Sequence, residues 1–269
     1  MVKSGSGCFA FAVWVKSINF PNFVLIRNFI GSSQVMQYIL FLDTETSGIP
    51  KHWDNPILFE KKWPYILQIS WVIYTEDGKK IKSENHYIKP GRIKIKKSSR
   101  KIHGITLKKL EKIGEERKDV VELLATDFEF YQPLVVGHFL EFDRKMLDIG
   151  FHRSGVKYDP DRLKTFCTMQ LTHDAGLAPS GSQYLRLQDL YRKLFNKNQQ
   201  NPHNALNDAE TTASCFFELR KQGIITDQVI LDQVQNIGIN RNIAAVRIAN
   251  ILLWLIVVAA IVLILKYIM

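Results

Sequence analysis

Cysteine is scarce in this chain. There are three in 269 residues, Cys8, Cys167 and Cys215, and no C-x-x-C pair. A zinc ribbon is therefore excluded. An odd, sparse set also argues against a secreted disulfide scaffold and suits a reducing compartment. Internal repeats and low-complexity tracts are absent. Acidic charge is in deficit, with 26 Asp plus Glu against 36 Lys plus Arg, a net charge of +10. Such an excess favours partners that carry phosphate, either nucleic acid or an anionic membrane surface. At 46% hydrophobic and 23% charged, the chain is neither disordered nor a multi-span membrane protein. Its length allows a sizeable core.

The two ends differ from the middle. Residues 248–265 read IANILLWLIVVAAIVLIL, without charge or proline. Eighteen residues of helix span ~27 Å, close to a ~30 Å hydrocarbon core. We expect a C-terminal transmembrane helix over 243–266, with Arg247 snorkelling to the interface. Arg241 and Arg247 before the span and Lys266 after it place the larger part in the cytoplasm. At the other end, the apolar run 8–15 lacks a small-x-small cleavage site. A second run, 20–30, is broken by Pro21, Asn22, Arg27 and Asn28. Met36 stands just before a clean strand pattern, so we expect 1–35 to be an extension outside the fold and translation to begin near Met36. A globular domain over 36–223 and a linker over 224–242 complete the division.

Within the middle, 38–42, 66–74, 81–88, 134–137 and 163–168 read as strands. Segments 106–110, 115–130, 141–149, 187–195 and 204–222 read as helices. Three strands with short turns, followed by strands alternating with helices, predict an α/β fold around a mixed five-stranded sheet flanked by helices. Residues 92–101 contain six cations and read as a solvated loop or a phosphate-facing patch.

Acidic residues stand at the ends of these elements. Asp43 and Glu45 close the first strand, two apart and so on one face. Asp143 opens the helix after the fourth strand. Asp208 lies in the first turns of the 204–222 helix, five residues after His203. Carboxylates converging in one cleft repel unless neutralised, and hard divalent cations with oxygen ligands do that. Two such cations can hold a phosphodiester, activate water and stabilise the leaving oxygen. A nearby His can take the water's proton.

The segments FLDTETSGI, VVGHFLEFDRKML and HNALNDAETTASCFFEL, in this order, resemble the three motifs of the DEDDh exonuclease superfamily. That superfamily holds the proofreading subunit of bacterial DNA polymerase III, ribonuclease T and oligoribonuclease. IHGIT, which contains His103, and LRLQDLYRKLF resemble its intervening segments. The resemblance covers 38–223. It implies a ribonuclease H-like fold and metal-dependent 3′-to-5′ removal of nucleotides. Asp43, Glu45, Asp143 and Asp208 would hold two Mg²⁺ or Mn²⁺ ions, with His203 as general base. Thr44, Thr46, Ser47, His138 and Phe139 would lie against the terminal nucleotide. Two positions depart from the family: Phe139 stands where Asn is common, and Cys167 where Asp is frequent. Neither removes an expected ligand.

The expected partner is thus a single-stranded 3′ end, of DNA or RNA, met by an enzyme tethered to a membrane. Two alternatives stand beside it. One is an RNA exonuclease like ribonuclease T or oligoribonuclease. The other is an inactive module that binds nucleic-acid ends at the membrane.

Overall fold

A computed structural model describes residues 37–178 and 184–235. The expected extension 1–35 and transmembrane helix 243–266 lie outside the described residues. Among the described residues no helix is long and apolar enough to cross a membrane.

The sheet has five strands in the order β3-β2-β1-β4-β5. β1 (Tyr38–Thr46), β2 (Ile66–Thr75) and β3 (Lys80–Tyr87) form the antiparallel meander. β4 (Leu134–Gly137) and β5 (Lys164–Cys167) run parallel to β1 on its other side. β1 is the central strand because it alternates apolar residues on both faces. Ile39 and Phe41 enter one core with Val72, Phe166 and Phe216. Leu40 and Leu42 enter the other with Trp71, Leu124, Phe128 and Met146. A strand buried on both sides reads as a continuous apolar run, and YILFL is one.

Among the described residues seven α-helices have both ends defined: α1 (Lys97–His103), α2 (Leu107–Ile113), α3 (Arg117–Tyr131), α4 (Leu140–Ser154), α5 (Thr168–Asp174), α6 (Leu187–Phe195) and α7 (Ala205–Lys221). α3 and α4 cover the Leu40 face, and α7 the Phe41 face. Thr106 caps α2 as its sequence predicts, accepting from Lys109 N at 3.1 Å. Asn204 caps α7, accepting from Leu206 N and Asn207 N.

Three expectations are corrected. β1 continues through Thr46, so Asp43 and Glu45 sit inside the strand rather than at its end. Part of the expected loop at 92–101 is helical, as α1. The fold also extends past residue 223. Residues 227–235 are helical, Ile225 and Ile230 are buried in the Phe216 core, and Gln233 accepts from the Cys167 backbone N. The first half of the expected linker is therefore packed. The signal missed was the apolar pair Ile225 and Ile230 in a short, polar segment.

A carboxylate cleft at the end of the central strand

Alternation along β1 sends Asp43 and Glu45 to the face that α7 covers, and Thr44 to the face of α4. A register shift at Glu45–Thr46 bends the strand end at this point. α7 supplies Asp208 from its first turn, and α4 supplies Asp143 from its own. The Thr44 hydroxyl donates to Asp143 Oδ1 at 2.7 Å. The β4–α4 turn is tight at Gly137, where a Cβ would lie 2.8 Å from Leu140 Cδ1 and make that side chain shift. The acidic groups thus approach β1 from both faces.

One ligand atom each from Glu45, His203 and Asp208 lies within 4.8 Å of the others, a spacing that a metal ion can bridge. Asp43 is outside that trio but within its field. Burial, then repulsion from Asp143, Asp208 and Glu45, pushes its carboxyl well above the usual range. Burial, Asp208 and Asp143 push Glu45 to about 8. Burial pushes Asp143 to about 7 against the stabilising bond from Thr44. Asp208 is raised by burial, opposed by hydrogen bonds from Gln199 and by His203. Four buried or half-buried acids that resist ionisation in each other's company fit a bound divalent cation, whose charge would oppose these shifts.

His203 is exposed, at a left-handed φ of 65°, and its backbone N donates to Asp208 Oδ2 at 3.0 Å. Its Nε2 lies 3.2 Å from the side-chain amide nitrogen of Gln188. The amide can only donate, so this contact occupies the Nε2 lone pair, and Gln188 must move aside before Nε2 can take a proton from another group. Gln188 and Gln199 were not among the sequence-derived candidates. A single glutamine on a helix, as Gln188 is on α6, or in a loop, as Gln199 is, carries no pattern that would single it out.

The expected substrate-facing residues divide into two groups. Thr44, Thr46 and Ser47 are buried, and their hydroxyls are engaged within the protein. Thr46 donates to Gly48 O at 2.7 Å, and Ser47 Oγ accepts from Tyr65 N at 2.8 Å. These side chains shape the turn after β1. His138 is also engaged at both ring nitrogens. Nε2 faces Leu185 O at 2.9 Å and must donate, so Nδ1 accepts from Thr168 Oγ1 at 3.0 Å. Burial lowers its pKa to about 4. Its ring nitrogens are not free for a substrate.

Phe139 is different. It is exposed at the start of α4, with a left-handed φ of 71°. Its ring lies 5.6 Å from Trp53 and 6.2 Å from Phe142, nearly parallel to the latter. Trp53, from the loop after β1, was not a sequence-derived candidate, although a tryptophan in a polar loop is itself a signal. The aromatic group stands one helical turn from Asp143.

Residues 40–216 match the RNase_T family model, described as exonuclease. The chain belongs to this exonuclease family, in the DEDDh-type 3′-to-5′ exonuclease superfamily. E. coli exonuclease I, solved with zinc and single-stranded DNA, is similar in fold: TM-score 0.58, 20% identity, 73% of this chain and 42% of that one. A 3′-exonuclease described as recognising the 3′ end of a histone mRNA stem-loop aligns with TM-score 0.56 and 16% identity, over 71% of this chain and 85% of that one. This chain therefore matches less than half the length of exonuclease I. No curated protein sequence matches it.

Proposed function

We propose that the protein is a 3′-to-5′ exonuclease that hydrolyses phosphodiester bonds of DNA or RNA, with Asp43, Glu45, Asp143 and Asp208 holding two divalent cations, Mg²⁺ or Mn²⁺. The observation that carries this is the convergence of the four carboxylates from β1, α4 and α7 with His203 beside Asp208. When bound, the cations supply neutralising charge, a more acidic water and stabilisation of the leaving oxygen. His203 Nε2 takes the proton of the attacking water after exchanging its contact with the Gln188 amide for that water, and the residue is tied to Asp208 through its backbone N. Thr44 fixes the Asp143 carboxylate. Phe139 and Trp53 offer ring faces on which a terminal base stacks, a mode that tolerates any base. The zinc and single-stranded DNA in the E. coli exonuclease I structure support the same ligand classes for this chain.

The proposal includes a C-terminal membrane anchor at 243–266 with the catalytic domain in the cytoplasm, resting on the apolar run alone. It is tested by whether the full chain partitions with membranes after alkaline carbonate washing and loses this on deletion of 243–269.

Catalysis is tested with 3′-labelled and 5′-labelled single strands of matched DNA and RNA, in Mg²⁺, Mn²⁺ or EDTA. The expected result is metal-dependent release of mononucleotide from the 3′ end. Asp43→Ala or Asp208→Ala should reduce the rate by at least about 10³-fold, on the scale of removing a group that stabilises transition-state charge. Retained activity in both variants would refute the site. Folded protein with no product on any strand would favour the end-binding alternative.

A further inference from the structure

Positive charge is unevenly distributed over the chain. Residues 89–114 hold ten Lys or Arg and a single acid, Glu111, so nine of the ten net positive charges fall in this one segment. Elsewhere several cations have acidic partners: Lys80 with Glu210, Lys82 with Asp127, Arg144 with Asp161 and Arg220 with Asp227. In the segment, Lys89 meets Glu116 and Lys109 lies over the Tyr87 ring. Arg92, Lys94, Lys97, Arg100 and Lys101 are all exposed and form no ion pair among the described residues.

The local sequence explains their direction. Arg92-Ile93-Lys94-Ile95-Lys96 alternates. Ile93 and Ile95 pack against the small core of Leu67, Ile105 and Leu110. With Ile93 and Ile95 turned to that core, the alternating Arg92, Lys94 and Lys96 are left exposed. α1 continues the series, with Lys97, Arg100 and Lys101 at i, i+3 and i+4 on one helical face. α1 buries no side chain. Its attachments are polar and lie at its ends. Lys96 N donates to Ser47 O at 2.9 Å, Lys96 Nζ donates to Ile49 O at 2.7 Å, and His103 Nε2 lies 3.2 Å from Thr46 O. The Lys96 stem runs so close to Gly48 that a Cβ there would lie 2.7 Å from Lys96 Cδ. The basic segment is thus fastened to residues 46–49, which directly follow Glu45.

Cations gathered without counter-charges repel one another and gain nothing inside the fold. Their complement is an external polyanion. We infer that residues 92–101 form a platform for the phosphate backbone of nucleic acid, binding nucleotides that precede the 3′ end held in the carboxylate cleft. The inference rests on the exonuclease reading for where the strand ends. It makes the preferred substrate a strand of several nucleotides, not a dinucleotide. A nucleic-acid backbone is favoured over lipid headgroups because the cations form a series fastened to the cleft. A membrane patch needs neither the order nor that attachment.

The test uses the full chain in mild detergent, with EDTA to stop hydrolysis. Anisotropy of fluorescein-labelled single strands of 4 and 20 nucleotides is followed across a KCl series. The variant is Arg92→Gln/Lys94→Gln/Lys97→Gln/Arg100→Gln, which spares the Lys96 and His103 attachments. Each phosphate contact on a single strand adds about 0.7 to the slope of log affinity against log salt, so the slope for the 20-mer should fall by roughly 3. Affinity near 0.1 M salt should drop at least tenfold, and the gain from 4 to 20 nucleotides should shrink. A charge-retaining variant, with Lys and Arg exchanged at these four positions, should keep the slope. That separates charge from folding. An unchanged slope in the Gln variant overturns the inference. So does a loss confined to vesicles containing phosphatidylserine, which would make the platform a lipid surface. Because binding is read without hydrolysis, failure of the exonuclease reading would show separately, as no product from the wild-type chain in Mg²⁺.

Discussion

Asp43, Glu45, Asp143 and Asp208 each hold a proton more tightly in the folded chain than in the unfolded one. The folded state therefore binds more protons, and stability falls as pH rises from about 4 through the folded values of about 7 and about 8. His138 acts in the opposite direction. Its pKa drops from 6.5 to about 4, so stability is lost as pH falls through that interval. In EDTA the melting temperature should decline from mildly acidic pH toward pH 8. Saturating Mn²⁺ or Mg²⁺ should raise it more at pH 8 than at pH 5.5. A metal effect that is equal at both pH values would count against the carboxylates as ligands. Phe139 gives a second prediction at this scale. Replacing it with Ala should weaken binding of single strands by roughly 5- to 100-fold, the range for one stacked base. Replacement with Trp should retain binding. Anisotropy in EDTA reads both.

Asp127 on α3 ties that helix to the meander. Its carboxylate accepts from Trp71 Nε1 at 2.7 Å in β2 and from Lys82 Nζ at 2.7 Å in β3. Asp127→Ala would strand a buried indole N–H and remove a charged partner, costing about 3 kcal/mol. Urea unfolding with unchanged m-value would report it. The elements themselves differ in how far the sequence exposed them. β1, β2 and α7 were legible because long apolar runs or a capped amphipathic repeat define them. Asp43 and Glu45 could be placed from β1 and Asp208 from α7, whereas Asp143 opens α4 and His203 stands just before the Asn204 cap of α7. α1 was not, since a helix that buries nothing leaves no apolar period. α5 was also missed. It is seven residues long and starts directly from β5, so strand and helix signals merge at Cys167–Thr168. Gln188, Gln199 and Trp53 act across space from loops or other helices, and sequence spacing does not encode such pairs.

The described residues form one sheet with a core on each side, and β1 contributes to both. Leu40→Ala would open a void in the α3–α4 core, and Phe41→Ala one in the α7 core. Each should cost about 3–5 kcal/mol. Because the two cores share a strand, either variant should lower a single transition in which tryptophan fluorescence and far-ultraviolet circular dichroism coincide. Separate transitions would show that the cores unfold independently.

Residues 46–49 carry a further consequence. Their carbonyls receive Lys96 and His103, while Ser47 is bonded to Tyr65 through its backbone N and its hydroxyl. Tyr65 in turn lies under the Arg153 guanidinium, 3.8 Å from its ring centre. Arg153 sits near the end of α4, the helix whose first turn bears Asp143. If a strand lies on the basic platform, tension along it passes through this short turn to α4. The platform is thereby coupled to both ends of the cleft, through β1 to Glu45 and through Arg153 to the helix that carries Asp143.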